Sequence, residues 1–180
     1  HCPHCFNTLA NEYPQFGGNF DVVHHSQLLD ELLQSGRLAP REGGDQRVVF
    51  HDSCYLGRYN GEYDAPRQTL AAAGVQVLEP ERNRESGLCC GGGGGKMWFE
   101  GQADREVNLI RMEELLATQP DVVSVACPYC LTMLDSAAKS MGASLDLVHV
   151  CPMAVASFPE MTVVPTVETH EVDALKRQLE

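Results

Sequence analysis

Positive charge and long apolar runs are both scarce in this chain of 180 residues. Lys and Arg number 13 against 25 Asp and Glu, a formal net charge of −12. Nucleic acid and anionic membrane surfaces would be repelled by such a surface, so neither is expected as a direct partner. A basic patch on another protein would suit it. No stretch reaches the roughly 18 consecutive apolar residues that mark a spanning helix. No secretory pattern of basic, apolar and small residues stands at the start. The eight cysteines therefore need an explanation other than a secreted disulfide scaffold. Six of them form two Cys-x-x-Cys pairs, Cys2/Cys5 and Cys127/Cys130, and one adjacent pair, Cys89–Cys90. Adjacent cysteines bridge each other only with strain. Metal ligation or redox chemistry in a cytoplasmic setting is the expected use.

The sequence repeats itself. Cys2-Pro3-His4-Cys5 returns as Cys127-Pro128-Tyr129-Cys130, and Asp21-Val22-Val23-His24 as Asp146-Leu147-Val148-His149. Both matches share one offset of 125 residues, as do Leu9 and Leu134. The expected organisation is the C-terminal end of a first repeat over 1–35, then a Gly- and Arg-rich linker over 36–45. A complete second repeat follows over 46–158, and a tail over 159–180. First-repeat counterparts of Cys54, Cys89 and Cys90 would precede His1, which is not a Met. A longer native protein is expected on that ground. Cys2 and Cys5 would then be two ligands of a second, incomplete site.

Within the complete repeat, Val48–Phe50 is a short β-branched and apolar run and reads as a strand. A helix is expected from Asp64, as a cap, to Ala73, with Pro66 in its first turn and Gly74 as the stop. Val75–Leu78 reads as a second strand. Apolar residues at 109, 112, 115 and 116 stripe a helix over 104–117. Val122–Val125, a helix over Leu131–Met141, a strand over Leu145–Val148 and a short apolar helix complete the order. Strict alternation predicts an α/β fold, a parallel sheet flanked by helices. Cys54 follows the first strand, Cys89–Cys90 the second and Cys127 the third. All five motif cysteines thus leave from the carboxyl edge of the sheet, where open parallel sheets bind ligands.

Thiolate selects zinc, copper(I) or iron–sulfur clusters. A lone zinc and an ordinary cubane each take four ligands, and here there are five. Two neighbouring thiolates suit two adjacent metal atoms, which a cluster supplies. A Cys-x-x-Cys pair alone would fit structural zinc or a dithiol equally well; the added Cys89–Cys90 and Cys54 favour a cluster. The glycines Gly91 to Gly95 would let backbone amides approach cluster sulfur. A phosphate loop is the competing reading of that run. It fails in register, because Cys90 and Met97 stand where a glycine and a hydroxyl residue are required. His51 reads as a satisfied structural histidine, Met97 and Trp98 as packing around the loop, and Cys151 as a bystander, since Ser26 takes its place in the other repeat.

Cys54, then 34 residues, Cys89-Cys90-Gly91, then 35 residues, Cys127-x-x-Cys130 resembles the cysteine-rich CCG domain. That family occurs in the B- and D-type subunits of heterodisulfide reductase. It also occurs in iron–sulfur subunits of glycolate oxidase, lactate-utilisation proteins and anaerobic glycerol-3-phosphate dehydrogenase. The segment from His51-Asp52-Ser53-Cys54-Tyr55-Leu56-Gly57-Arg58 to Asp64-Ala65-Pro66-Arg67 is similar to the branch associated with electron-transferring flavoprotein and menaquinone. The resemblance implies a noncubane [4Fe-4S] cluster on Cys54, Cys89, Cys90, Cys127 and Cys130. It implies an electron-transfer subunit of an oxidoreductase, partnered by a flavoprotein or another iron–sulfur subunit. Quinone chemistry and attachment at the inner membrane face would come through parts outside this chain. Two other readings stay open, a catalytic disulfide reductase and a zinc-stabilised interaction module.

Overall fold

The computed structural model describes residues 1–39, 44–98 and 106–150. Cys2 stands in extended conformation ahead of helix α1 (Pro3–Asn7), with proline in the first turn, where a missing N–H is harmless. A π turn over Thr8–Glu12 and a 3-10 turn over Tyr13–Phe16 continue it. Helix α2 (His25–Gln34) opens on a reciprocal cap. The His24 side chain accepts the Ser26 N–H, and Gln27 Oε1 accepts the His24 N–H at 3.0 Å.

Then β1 (Arg47–His51), α3 (Asp64–Ala72), β2 (Gln76–Leu78), α4 (Val107–Leu116), β3 (Val122–Val125), α5 (Pro128–Ser140) and β4 (Asp146–His149) alternate along the chain. The strands pair in parallel in the order β2-β1-β3-β4. Val48 lies beside Val77 and Val122, and Val123 beside Leu147. This is the α/β architecture that the alternation predicts. The winding direction reverses between β1 and β3, which opens a crevice at their carboxyl ends.

Side chains alternate across the sheet, as the strand period requires. Val49, Val123 and Val125 pack with Met112 and Leu115 of α4 and with Leu134 and Ala137 of α5. Val48, Phe50 and Val122 pack on the other face with Leu56 and with Leu70 of α3. Helix α2 covers α3 from outside through Leu29, Leu32, Leu33 and Ala72, with Leu38 in the same cluster. Leu38 is therefore packed, although it falls within the expected linker. Gln27 Nε2 donates to Glu62 at 2.8 Å and Asn11 Nδ2 to Asn60 at 2.8 Å across the same seam.

Three helix starts differ from the sequence pattern. Helix α4, expected from 104, begins at Val107 after an extended Glu106. Helix α5 begins at Pro128 rather than Leu131, because Cys127 is its extended cap and Pro128 fits its first position. Cys130 consequently lies inside the first turn. Asp64 does not cap α3. Tyr63 holds the cap position, Glu62 Oε1 accepts the Ala65 N–H at 3.0 Å, and Asp64 pairs with Arg84 at 2.8 Å. The expected stops hold: Gly74 and Gly142 take φ of +80° and +65°. Cys151 and the helix expected after β4 lie outside the described residues.

Candidate metal centre

The connection after β1 turns sharply. The Leu56 and Gly57 N–H groups donate to the Ser53 carbonyl at 3.1 and 2.9 Å, which lifts Cys54 over the edge of the sheet. Cys89 and Cys90 arrive on the long connection after β2. Cys127 and Cys130 bracket the first turn of α5. Cys54, Cys89, Cys90 and Cys130 line one cavity, and the sulfurs of Cys90 and Cys130 lie within 4.8 Å of each other. Cys127 lies close enough to Cys130 for each to shift the other's titration.

Each sulfur shifts the titration of its neighbours. Beside Cys54 and Cys90, Cys89 is held far below the ordinary thiol range. Cys127 is drawn down to about 6, first by the Cys130 thiol and then, against burial, by the Cys130 and Tyr129 N–H groups at the helix start. Cys54 is pushed far up by neighbouring Cys89 and by burial, and Cys130 by neighbouring Cys127 and Cys90. Cys130 pulls Cys90 down, but Cys89 and burial leave it raised to about 11. Metal ligation by such a set releases the thiol protons that remain.

The glycine loop lies against these sulfurs. The Gly91 N–H donates to Cys89 Sγ at 3.4 Å, and the Gly92 N–H bonds Cys90. Gly91 takes φ of +85°, and a Cβ at Gly92 would stand 3.1 Å from Met133 Cγ and 3.7 Å from Cys90 Sγ. A cavity of about 260 Å³ opens over Cys54, Cys89, Cys90 and Cys130, rimmed by His4, Tyr55, Tyr129 and Trp98. Trp98 is 76% exposed and so belongs to the rim rather than to the packing expected of it.

Two buried polar networks brace the end of β1. Arg67 reaches Asp52 with two bonds of 2.8 and 2.9 Å and Glu79 with two of 2.6 and 2.9 Å, and Asp52 also accepts the Arg84 N–H at 2.7 Å. This ties the end of β1 to the segment leading to Cys89. His51, 1% exposed, accepts from Arg111 Nε at 3.1 Å through Nδ1. Its Nε2 is buried and has no hydrogen-bond partner among the described residues, so the expected full satisfaction is not met. Burial, then Arg111, lowers its pKa to about 3. A ring nitrogen of His51 and the sulfurs of Cys90 and Cys130 lie within 4.8 Å of one another.

Cys2 and Cys5 come next to this site. His4 Nδ1 is 3.8 Å from Cys2 Sγ and 3.8 Å from Cys127 Sγ, so the two Cys-Pro-x-Cys segments face each other across one imidazole. The His4 ring lies 4.1 Å from Tyr55 and 5.1 Å from Tyr129, centroid to centroid. Sequence reasoning missed all three residues. The only signal available was their position beside motif cysteines.

Five convergent thiols, amides aimed at sulfur, an orphaned imidazole nitrogen and glycines where side chains would intrude fit a sulfur-rich, negatively charged metal group. Residues 48–135 match the family described as CCG, a cysteine-rich domain. The chain carries a CCG domain. The CCG segment and its surroundings are 50% identical over 139 residues to the "Probable iron-sulfur-binding oxidoreductase FadF" of Bacillus subtilis, covering 77% of this chain and 20% of that protein. Identity to the "EtfAB:quinone oxidoreductase" of Syntrophomonas wolfei is 44% over 146 residues, with the same two shares. Identity to a subunit of the dihydromethanophenazine:CoB--CoM heterodisulfide reductase of Methanosarcina acetivorans is 32% over 150 residues, 81% of this chain and 37% of that one. The chain thus spans a fifth to somewhat over a third of the length of these relatives. They are oxidoreductases or oxidoreductase subunits by name, and the first is named as iron–sulfur-binding.

Proposed function

We propose that the CCG domain binds a [4Fe-4S] cluster of noncubane type through Cys54, Cys89, Cys90, Cys127 and Cys130 and serves as an electron-transfer part of an oxidoreductase. The observation that carries this reading is the gathering of five cysteines at the carboxyl edge, two of them adjacent residues, with Cys54, Cys89, Cys90 and Cys130 lining one cavity. When bound, the cluster supplies one-electron redox chemistry. The chain's own residues do the rest. Cys89 and Cys127 offer thiolate, the loop amides donate to sulfur, and the Asp52–Arg67 pair fixes the spacing of the Cys54 and Cys89 segments. Residues 1–35 are read as the end of a first copy of the domain, with Cys2 and Cys5 as part of its own ligand set. The redox partner is read as a flavoprotein or another iron–sulfur subunit; one relative is named for EtfAB and quinone. No helix among the described residues is long and apolar enough to cross a membrane, so quinone chemistry and attachment at the inner membrane face would rest on other parts of a longer protein.

A second reading, a catalytic disulfide reductase, is favoured by the cavity open beside Cys54. Iron and acid-labile sulfide analysis with EPR on anaerobically prepared protein tests the first. Iron and sulfide in equal amounts with a paramagnetic signal support it. Stoichiometric zinc without sulfide sinks it in favour of an interaction module. Turnover of a small disulfide by the reduced cluster would move the assignment to the second reading.

A further inference from the structure

His51 is the last residue of β1, and its ring is sealed between the sheet and α4. Arg111 reaches it from α4 and is itself fully buried. Arg111 Nη1 donates to the Arg82 carbonyl at 2.8 Å and to Glu114 at 3.0 Å, so the guanidinium has one fixed orientation. Its Nε–H points at His51 Nδ1. A guanidinium nitrogen can only donate, so Nδ1 must accept and carries no proton. The hydrogen of the neutral ring is therefore on Nε2. That N–H is buried without an acceptor among the described residues, in a ring whose nitrogen lies beside Cys90 and Cys130. A buried orphan donor is costly unless something not in the chain accepts from it.

We propose that His51 is a positioning residue that donates its Nε2–H to a sulfur of the bound cluster, with Arg111 enforcing the tautomer that makes this possible. The inference rests on the cluster reading above. It also settles what His51 does not do. With Nδ1 occupied by Arg111 and Nε2 protonated, neither nitrogen has a free lone pair for iron, so the imidazole is a donor to the group and not a sixth ligand. Donation to sulfur stabilises the more negative, reduced state of a cluster, so losing the bond makes the potential more negative.

The test uses the full chain, loaded anaerobically, with His51→Leu and His51→Gln, the latter keeping an N–H at similar reach. EPR-monitored redox titration should show the Leu variant with about a tenfold lower reduced-to-oxidised ratio at a fixed poise, about 59 mV for one electron. The Gln variant should recover most of that difference, which a merely structural side chain would not produce. Nitrogen-15 NMR of the metal-free wild type should show protonated Nε2 and bare Nδ1 at His51, with the preference weakened in Arg111→Met. An unshifted Leu variant, or an Nδ1–H tautomer in the wild type, overturns the inference, and the NMR measurement decides even if His51→Leu does not fold. A wild type that takes up no iron and sulfide sinks the cluster reading itself, whereas a loaded wild type with an unshifted Leu variant sinks only this step.

Discussion

Replacing Asp52 by alanine strips Arg67 of its two buried bonds and leaves the Arg84 N–H without its acceptor. The side chains of Asp52 and Arg67 are 4% and 9% exposed, so water cannot take the place of the carboxylate. Breaking such a buried pair costs about 3–5 kcal/mol, mostly because the surviving charge is stranded. Here the guanidinium keeps Glu79 and the Tyr63 carbonyl, the latter at 2.8 Å, which puts the expected loss at the lower end, about 3 kcal/mol. With a urea m-value of about 2 kcal/mol/M, the midpoint should fall by about 1.5 M. Glu79→Ala is the control. Glu79 is 40% exposed, so its loss should cost no more than about 1 kcal/mol, or about 0.5 M. Urea denaturation of the metal-free proteins, followed by far-UV circular dichroism, reads both. Equal shifts in the two variants would show that burial does not set the strength of this network and would refute the reasoning.

Three other outcomes are expected. Gly57→Ala should lose about 1–3 kcal/mol, read as a lower Tm, because its Cβ would overlap the Tyr63 ring; adding Tyr63→Ala should remove part of the clash. Burial first, and the neighbouring His149, lower the pKa of His24 to about 3, while an unfolded histidine titrates near 6.5. The unfolded chain therefore takes up a proton that the folded chain refuses. His24 alone should withdraw about 1.4 kcal/mol of stability per pH unit as pH drops from about 6 to 4, with nothing withdrawn above about 6.5, and urea titrations of His24→Asn should show the overall slope reduced by that amount. Cys90→Ser should lose iron by colorimetric assay, whereas Cys151→Ser should keep it; the reverse pattern would place the fifth ligand at Cys151.

The sheet was readable because β1 and β3 are buried on both faces and so appear as short unbroken apolar runs. The gathering of Cys54, Cys89, Cys90 and Cys127 at one edge followed from their places after successive strands. The start of α5 was also within reach, since Pro128 after an extended residue is a helix-opening signal, but the Cys-x-x-Cys pattern masked it. His4 could not have been found. It meets Cys127 across 123 residues, and no periodicity reports a contact at that distance. Arg111 was hidden for a different reason. A charged residue within a helical stripe is expected at the surface, and only its three partners make full burial tolerable.

The covering of α3 by α2 bears on how such a domain can be inherited. The outer side of α3 is sealed by Leu29, Leu32 and Leu33, which belong to the segment before the sheet. A chain cut to begin at residue 46 would bare Ala72 and its surroundings and lose the Gln27–Glu62 and Asn11–Asn60 bonds. On the proposed reading of residues 1–35 as the end of a first copy, such a unit is difficult to simplify by deletion, because the earlier segment acts as upholstery for the later one. Selection on solubility alone would then retain that segment.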